Sequence, residues 1–317
     1  METYQVIRTH ISPYQAQDFI QTERNLLSSL KDVEYKTLEE SQKNFPTILI
    51  TNTHTDLKKL PPALLDQTKL IIHPNSGYDH FVADMNLWRE IPVVIGHTIR
   101  AQAVAEYSLN CLFQTQKLPK HESWDKNRLW NRSLIKNSKI CIFGYGHIGK
   151  IIAKTLEALG AKVSIVDPYQ KSLFQHFDSW EIASGVNFHV VISAMSLNDS
   201  SFQIFDQKFF ESLNPEVVFI NGARGNLYHE EALRTFFTTH REAQCFLDVF
   251  PTEPITDNWT LPNVWKTSHI AGVHKHLDQG ILDFEFNVLK DFLNRKDFMA
   301  HYQSELLQNK ILKGMII

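Results

Sequence analysis

The sequence predicts an α/β protein whose sheets are mostly parallel and doubly wound, with helices on both faces. Three observations carry this. Short apolar runs alternate with helical patterns along most of the 317 residues. One apolar run, 139–143, is followed by Gly144, Gly146 and Gly149 at G-x-G-x-x-G spacing and then by a helical stretch. Three later apolar runs end in polar or charged residues, within 219–225, 246–254 and 267–272. In an open α/β sheet, ligands bind at the carboxyl ends of strands.

Taken in order, Gln5–Arg8 reads as an edge strand and Pro13–Leu30 as a helix. Segments 46–51 and 69–73 read as buried strands, and Pro61-Pro62 between them opens a helix within Leu57–Asp66. A strand at Pro92–Ile95 precedes a long helix over Ala101–Leu118, with Ala105, Leu109 and Leu112 on one side. Basic and aromatic residues over 119–138 read as a loop. After the glycines, Ile148, Ile151, Ile152, Leu156 and Leu159 share a helix face, and Gly160 is the stop. A second apolar run then closes on Asp167. Strands follow at Val190–Ala194, Val217–Asn221, Gln244–Val249 and Val264–Ser268, with helices at Gln207–Leu213, capped by Asp206, and His229–Thr238. The helix Leu277–Asn294 is expected to return to the first domain, and the amphipathic tail Met299–Ile317 to pack. The expected division is 1–98 with 277–317 as one domain and 99–276 as a dinucleotide-binding domain.

Composition narrows the classes. With 43% hydrophobic and 21% charged residues, the chain can form two domains with real cores. A net charge of −3 gives no general attraction to nucleic acid or anionic membrane. No apolar run is long enough to span a bilayer, and Met1–Gln15 lacks a signal pattern. Cys111, Cys141 and Cys245 are few and far apart, and read as buried thiols of a reducing, cytoplasmic compartment rather than as a disulfide or metal framework.

The glycine unit has the context that a dinucleotide site of the Rossmann type requires: strand, glycine turn, helix, strand, acid. Gly144 makes the turn, Gly146 has no Cβ to block a pyrophosphate, and Gly149 lets helix and strand pack closely. The helix start at Gly146, His147 and Ile148 presents backbone N–H groups to an anion. Asp167 can accept from both ribose hydroxyls and repels a 2′-phosphate, so NAD is expected over NADP. A glycine turn holding S-adenosylmethionine in a methyltransferase is the other reading of this segment.

Arg224, Glu253 and His269 end the three later strands. Reduction of a 2-keto acid needs a proton for the forming alkoxide, and histidine titrates near neutrality. A carboxylate on the other imidazole nitrogen fixes the tautomer. Arginine binds a substrate carboxylate and stabilises charge on the carbonyl oxygen.

At this point the sequence resembles the D-isomer-specific 2-hydroxyacid dehydrogenases. The resemblance runs through roughly Pro46–Phe286. It rests on Gly-Tyr-Gly-His-Ile-Gly with Asp167, on residues 221–233, 247–254 and 269–272, on Val-Ala-Glu at 104–106, and on Asn-Ser-Gly-Tyr-Asp-His at 75–80. It implies Arg224 as the substrate-binding arginine, His269 as acid/base and Glu253 as its partner. Asp248 is implied to hold the nicotinamide amide, with Ala223 and Gly272 in the cofactor set. Asn75, Ser76, Gly77 and Tyr78 are implied to take the substrate carboxylate on backbone N–H groups. A smaller flavodoxin-like substrate domain made from both chain ends and a homodimer are implied too.

The chain departs from the family pattern at Ser268, where many members have proline, at Ala194-Met195-Ser196-Leu197, and at Arg100, where asparagine is usual. The substrate side chain would be set by Thr51–Thr55, Pro74–His80 and residues near His274–His276. A phosphorylated substrate would need a cationic cluster, and the sequence does not place Lys58, Lys59 or Arg100 into one. The expectation is NAD-dependent oxidoreduction of a small D-2-hydroxy acid. An NAD(H)-binding sensor or scaffold, as in the related corepressors, is the alternative, and turnover separates the two.

Overall fold

The computed structural model describes residues 3–82, 84–116, 133–255 and 259–312. Most of the loop expected over 119–138 lies outside the described residues, as do the last residues of the helix expected to reach Leu118 and the end of the tail. The chain forms two compact units, Met1–Arg100 with His274–Ile317, and Ala101–Val273.

The first unit holds five parallel strands: β1 (Tyr4–Arg8), β2 (Val33–Lys36), β3 (Thr47–Ile50), β4 (Thr68–His73) and β5 (Val93–Ile95). Their order, β2-β1-β3-β4-β5, is the flavodoxin-like one. Alternate residues face opposite ways along a strand, and here both faces are buried. Val6, Ile48, Ile50, Leu70, Ile72 and Val94 pack under Val288 and Leu289 of the helix Leu277–Asn294. Ile7, Leu49, Ile71, Val93 and Ile95 pack against Leu57, Leu64 and Trp88 on the other face. The tail adds Phe298, Tyr302, Leu306 and Leu307 to these cores, and Leu306 bridges antiparallel to Val94. On the side of the helix Leu277–Asn294, the Arg8 guanidinium reaches both Glu23 and Glu285 at 2.5 Å. Burial pushes the Glu285 carboxyl well up, whereas the hydrogen bond from Arg8 overcomes burial at Glu23 and holds it down.

The second unit carries seven parallel strands: β6 (Lys139–Phe143), β7 (Lys162–Val166), β8 (Gln175–Phe177), β9 (Val190–Ser193), β10 (Val218–Asn221), β11 (Gln244–Leu247) and β12 (Val264–Lys266). The order is β12-β11-β10-β9-β6-β7-β8, so the winding reverses between β6 and β9. This is the doubly wound Rossmann arrangement with one further strand. Ile140, Ile142, Ile192, Ile220 and Phe246 face the helices Ala101–Gln114 and His147–Ala158. Cys141, Phe143, Val191, Phe219 and Leu247 face a phenylalanine-rich layer that includes Phe205, Phe209, Phe236 and Phe237. All three cysteines are free and buried. Among the described residues no helix is long and apolar enough to cross a membrane, and no group of side chains is placed to hold a metal ion.

Several short elements escape the sequence pattern. β2 and β8 are short, partly exposed edge strands, and Asp79–Val82, Met85–Trp88 and Trp180–Ala183 are four-residue helices. Such pieces are too brief and polar to show a period. The first helix is shorter than the expected Pro13–Leu30 and spans Phe19–Leu27.

Candidate active site

The glycine loop follows directly from β6. Gly144 has φ +93°, and a Cβ there would lie 2.7 Å from the Ala194 carbonyl oxygen. A Cβ on Gly149 would lie 2.0 Å from the Gly144 oxygen, so its absence lets the helix seat on the loop. Gly146, the cap residue of that helix, is different: its Cβ would meet nothing within 4 Å. Bare backbone therefore faces open space where the helix begins, and the first-turn N–H groups of a helix lack intrahelical partners. His147 is exposed there, while the Ile148 side chain packs into the core. Asp167 stands beside this turn. Its Oδ2 accepts from Tyr145 N at 2.7 Å, and its Oδ1 from Tyr169 N at 2.7 Å and Gln170 N at 2.9 Å. A carboxylate oxygen has two lone pairs, so Oδ2 keeps one acceptor position. A bare glycine cradle, a helix start and an adjacent carboxylate fit a dinucleotide.

Arg224 is set by the turn after β10. The Asn221 side chain accepts from Ala223 N at 3.1 Å and donates to the Arg224 carbonyl at 2.9 Å. The guanidinium itself donates to the Ala223 carbonyl at 2.8 Å. Gly225 then brings this turn against the segment that carries Glu253: a Cβ on it would fall 1.9 Å from the Phe250 carbonyl carbon. Glu253 and His269, sixteen residues apart, meet directly. Nδ1 of His269 donates to Glu253 Oε2 at 2.7 Å, and Phe250 N donates to Oε1 at 2.9 Å. Burial would raise the Glu253 pKa, but the His269 bond, the Phe250 N–H and the His269 and Arg224 charges together hold it below the usual carboxylate value. With Nδ1 engaged, Nε2 is the imidazole atom left to exchange a proton, on a side chain 51% exposed.

The His269 turn is held from below. His269 has φ +55°, a left-handed conformation that a non-glycine residue adopts only when its surroundings impose it. Its N–H donates to the Asp248 carbonyl at 2.8 Å. The fully buried Asp248 carboxylate accepts from Thr267 Oγ1 at 2.6 Å, Ile270 N at 2.8 Å and Ala271 N at 2.8 Å. A carboxylate can only accept, so the Thr267 hydroxyl donates to it and must accept from Tyr107 OH, 2.6 Å away. Burial holds that phenol protonated, well above its ordinary value. Gly272 follows directly in the chain, while Ser268 is exposed and Ser196 lies after β9.

In the first unit, the segment Asn75–Tyr78 follows β4. His73 pins it: Thr51 Oγ1 lies 2.9 Å from Nδ1, and the Gly77 carbonyl lies 3.1 Å from Nε2. A carbonyl only accepts, so Nε2 donates to it. Asn75, Gly77 and Tyr78 are buried and Ser76 is half-buried. The side chain of His80 lies outside the described residues. Sequence reasoning missed His73, Asn221, Gly225, Tyr107 and Thr267. Of these only Gly225 had a signal, as the glycine after a strand-terminal arginine.

Residues 108–271, just over half of the chain, match the sequence profile described as D-isomer specific 2-hydroxyacid dehydrogenase, NAD binding domain. The chain belongs to the D-isomer specific 2-hydroxyacid dehydrogenase family. Its glycine loop is thus part of a nicotinamide-dinucleotide-binding domain. Among curated relatives, the D-3-phosphoglycerate dehydrogenase of Mycobacterium tuberculosis is 26% identical over 226 residues, 66% of this chain and 42% of that one. The erythronate-4-phosphate dehydrogenase of Coxiella burnetii is 29% identical over 220 residues, 67% and 56% respectively. The match therefore spans about half the length of these relatives. Solved structures of this 2-hydroxyacid dehydrogenase fold align over nearly the whole chain. The D-lactate dehydrogenase of Aquifex aeolicus, complexed with NAD and lactic acid, has a TM-score of 0.70 at 19% identity and covers 96% of this chain and 99% of its own. The NADPH-dependent glyoxylate/hydroxypyruvate reductase of Sinorhizobium meliloti, with NADP and malonate, has a TM-score of 0.69 at 21% identity, covering 93% and 95%. At that identity the likeness establishes the fold.

Proposed function

We propose that the protein is an NAD-linked oxidoreductase interconverting a small D-2-hydroxy acid and its 2-keto acid. The observation that carries this reading is the 2.7 Å His269–Glu253 pair, held by Asp248 and joined to the Arg224 turn through Gly225. Arg224 binds the substrate carboxylate and steadies charge growing on the carbonyl oxygen. His269 gives a proton from Nε2 to that oxygen during reduction and takes it back during oxidation. Glu253 fixes the tautomer and balances the imidazolium. A nicotinamide held by this domain would supply the hydride to C2, or take it up in the reverse direction.

The first-turn N–H groups after Gly146 would hold the pyrophosphate. The remaining lone pair of Asp167 would hold the ribose and disfavour a 2′-phosphate, which supports NAD over NADP. The unit carrying Asn75–Tyr78 is the substrate domain in this reading, with backbone N–H groups of that loop on the substrate carboxylate. Three buried free thiols support a reducing, cytoplasmic setting, and a homodimer is the proposed assembly.

The test is a panel of 2-keto acids with NADH. His269→Ala and Arg224→Ala should each lower kcat/KM by about a hundredfold or more while NADH binding, read by fluorescence, persists. Unchanged turnover in both variants would sink the assignment. NADH binding by the wild type with no turnover of any acid would point to a sensor instead.

A further inference from the structure

The sequence offered Lys58, Lys59 and Arg100 as cations near the substrate loops, and the fold treats them differently. Lys58 is neutralised by Asp84 at 2.5 Å and Lys59 by Asp56 at 3.2 Å. Arg100 meets no carboxylate among the described residues. Its Nη1 donates to the Pro74 carbonyl at 2.7 Å and its Nη2 to Tyr14 OH at 3.0 Å, both neutral acceptors. A guanidinium has five N–H donors, so these bonds leave one on Nε and one on each Nη.

The location gives the charge a meaning. Pro74 immediately precedes Asn75. Tyr14 ends a segment tied to the carboxyl end of β3, where Asn52 Nδ2 donates to the His10 carbonyl at 3.3 Å and to Ser12 Oγ at 3.2 Å. Thr9 and Thr55 join the same two strand ends through a 2.7 Å hydroxyl contact. The sheet order reverses between β1 and β3. Arg100 therefore stands at the carboxyl edge of the sheet, beside its topological switch point, where doubly wound sheets bind ligands.

We propose that Arg100 is a specificity-determining residue that selects 2-keto and 2-hydroxy acids bearing a second anionic group, a carboxylate or a phosphate. The inference rests on the reading of Asn75–Tyr78 as the substrate loop. The carboxylate common to all 2-keto acids is assigned in that reading to the loop amides. A further fixed charge beside that loop favours a group that only some of these acids carry, and disfavours apolar side chains that would desolvate it unpaired.

Initial rates with NADH on matched pairs test this. One pair is 2-oxoglutarate and 2-oxovalerate; the other is 3-phosphohydroxypyruvate and hydroxypyruvate. The wild type should prefer the member with the second anionic group in at least one pair by tenfold or more in kcat/KM, and the pair that responds tells carboxylate from phosphate. Arg100→Gln should raise KM for that acid at least tenfold and change KM for its partner less than threefold, with Arg100→Lys recovering part of the loss. No wild-type preference, or an equal rise for both members in Arg100→Gln, overturns the proposal and leaves Arg100 as a brace for the loop. If no acid turns over, the dehydrogenase reading fails separately. Thermal shifts with NAD and malonate against NAD and propionate then decide: a malonate-specific rise that Arg100→Gln abolishes supports the anion site, and the same rise in both proteins refutes it.

Discussion

Replacing Asp248 by asparagine distinguishes the nicotinamide-amide contact that the family resemblance implies for this side chain from a brace for the histidine turn. The carboxylate takes donors from Thr267, Ile270 and Ala271 with no exposed surface. A carboxamide keeps its oxygen best at the Oδ1 position, where two donors converge. Its NH2 then faces the Ala271 N–H, and that buried donor loses its acceptor, which costs about 1–3 kcal/mol. The two surviving bonds change from charged to neutral and lose about 1 kcal/mol each. The total is roughly 3–5 kcal/mol, or a fall in Tm of roughly 10 °C for a unit of this size. The turn it releases holds His269 at φ +55°, so relaxation moves the imidazole away from Glu253. A displacement of about 1 Å at a catalytic group costs about a hundredfold in rate. Thermal unfolding of the ligand-free protein and kcat/KM for keto-acid reduction are the measurements. The reasoning is refuted if Asp248→Asn leaves ligand-free Tm and kcat unchanged and raises only the KM for NADH, because that pattern belongs to a cofactor contact.

Gly225→Ala places a methyl 1.9 Å from the Phe250 carbonyl carbon, so the Arg224 and Glu253 segments must separate; loss of soluble folded protein or a Tm drop of several degrees is expected, and a neutral effect by calorimetry would contradict the geometry. Glu253→Gln removes the charge that favours a protonated partner, so the alkaline limit of keto-acid reduction should move to lower pH by about one unit, and an unmoved profile argues against the pairing. In the wild type, Glu253 is held below its usual value when folded. Its contribution to stability is therefore present above the unfolded carboxylate value of 4.5 and is lost as pH falls through the lowered one, a loss that acid titrations should find missing in Glu253→Gln. Asp167→Ala should raise the KM for NADH about tenfold and relax discrimination against NADPH; a preference that stays put leaves Asp167 as an anchor for Tyr145, Tyr169 and Gln170 alone.

The chain by itself determined the fold class. Runs such as 140–143 and 218–220 are apolar at every position, and so on both faces, and only a strand covered by helices on both sides buries them. The glycine spacing with Asp167 determined the dinucleotide unit, because turn geometry and close backbone approach are local demands on particular residues. Edge strands β2 and β8 were not legible, since a strand paired on one side needs little apolar surface. The candidate site divides in the same way. Arg224, Glu253 and His269 stand out as residue types at strand ends. That Glu253 meets His269, that a buried Asp248 holds the turn through three donors, and that Tyr107 reaches Thr267 from a helix 160 residues earlier are facts of tertiary structure. Nor could the sequence tell which of the cations Lys58 and Arg100 is cancelled: the two look alike in a string, and only packing set Asp84 against the first and neutral oxygens against the second. Local patterns are written in neighbouring residues; hydrogen-bond partners and charge balance come from segments that meet only when the chain has folded.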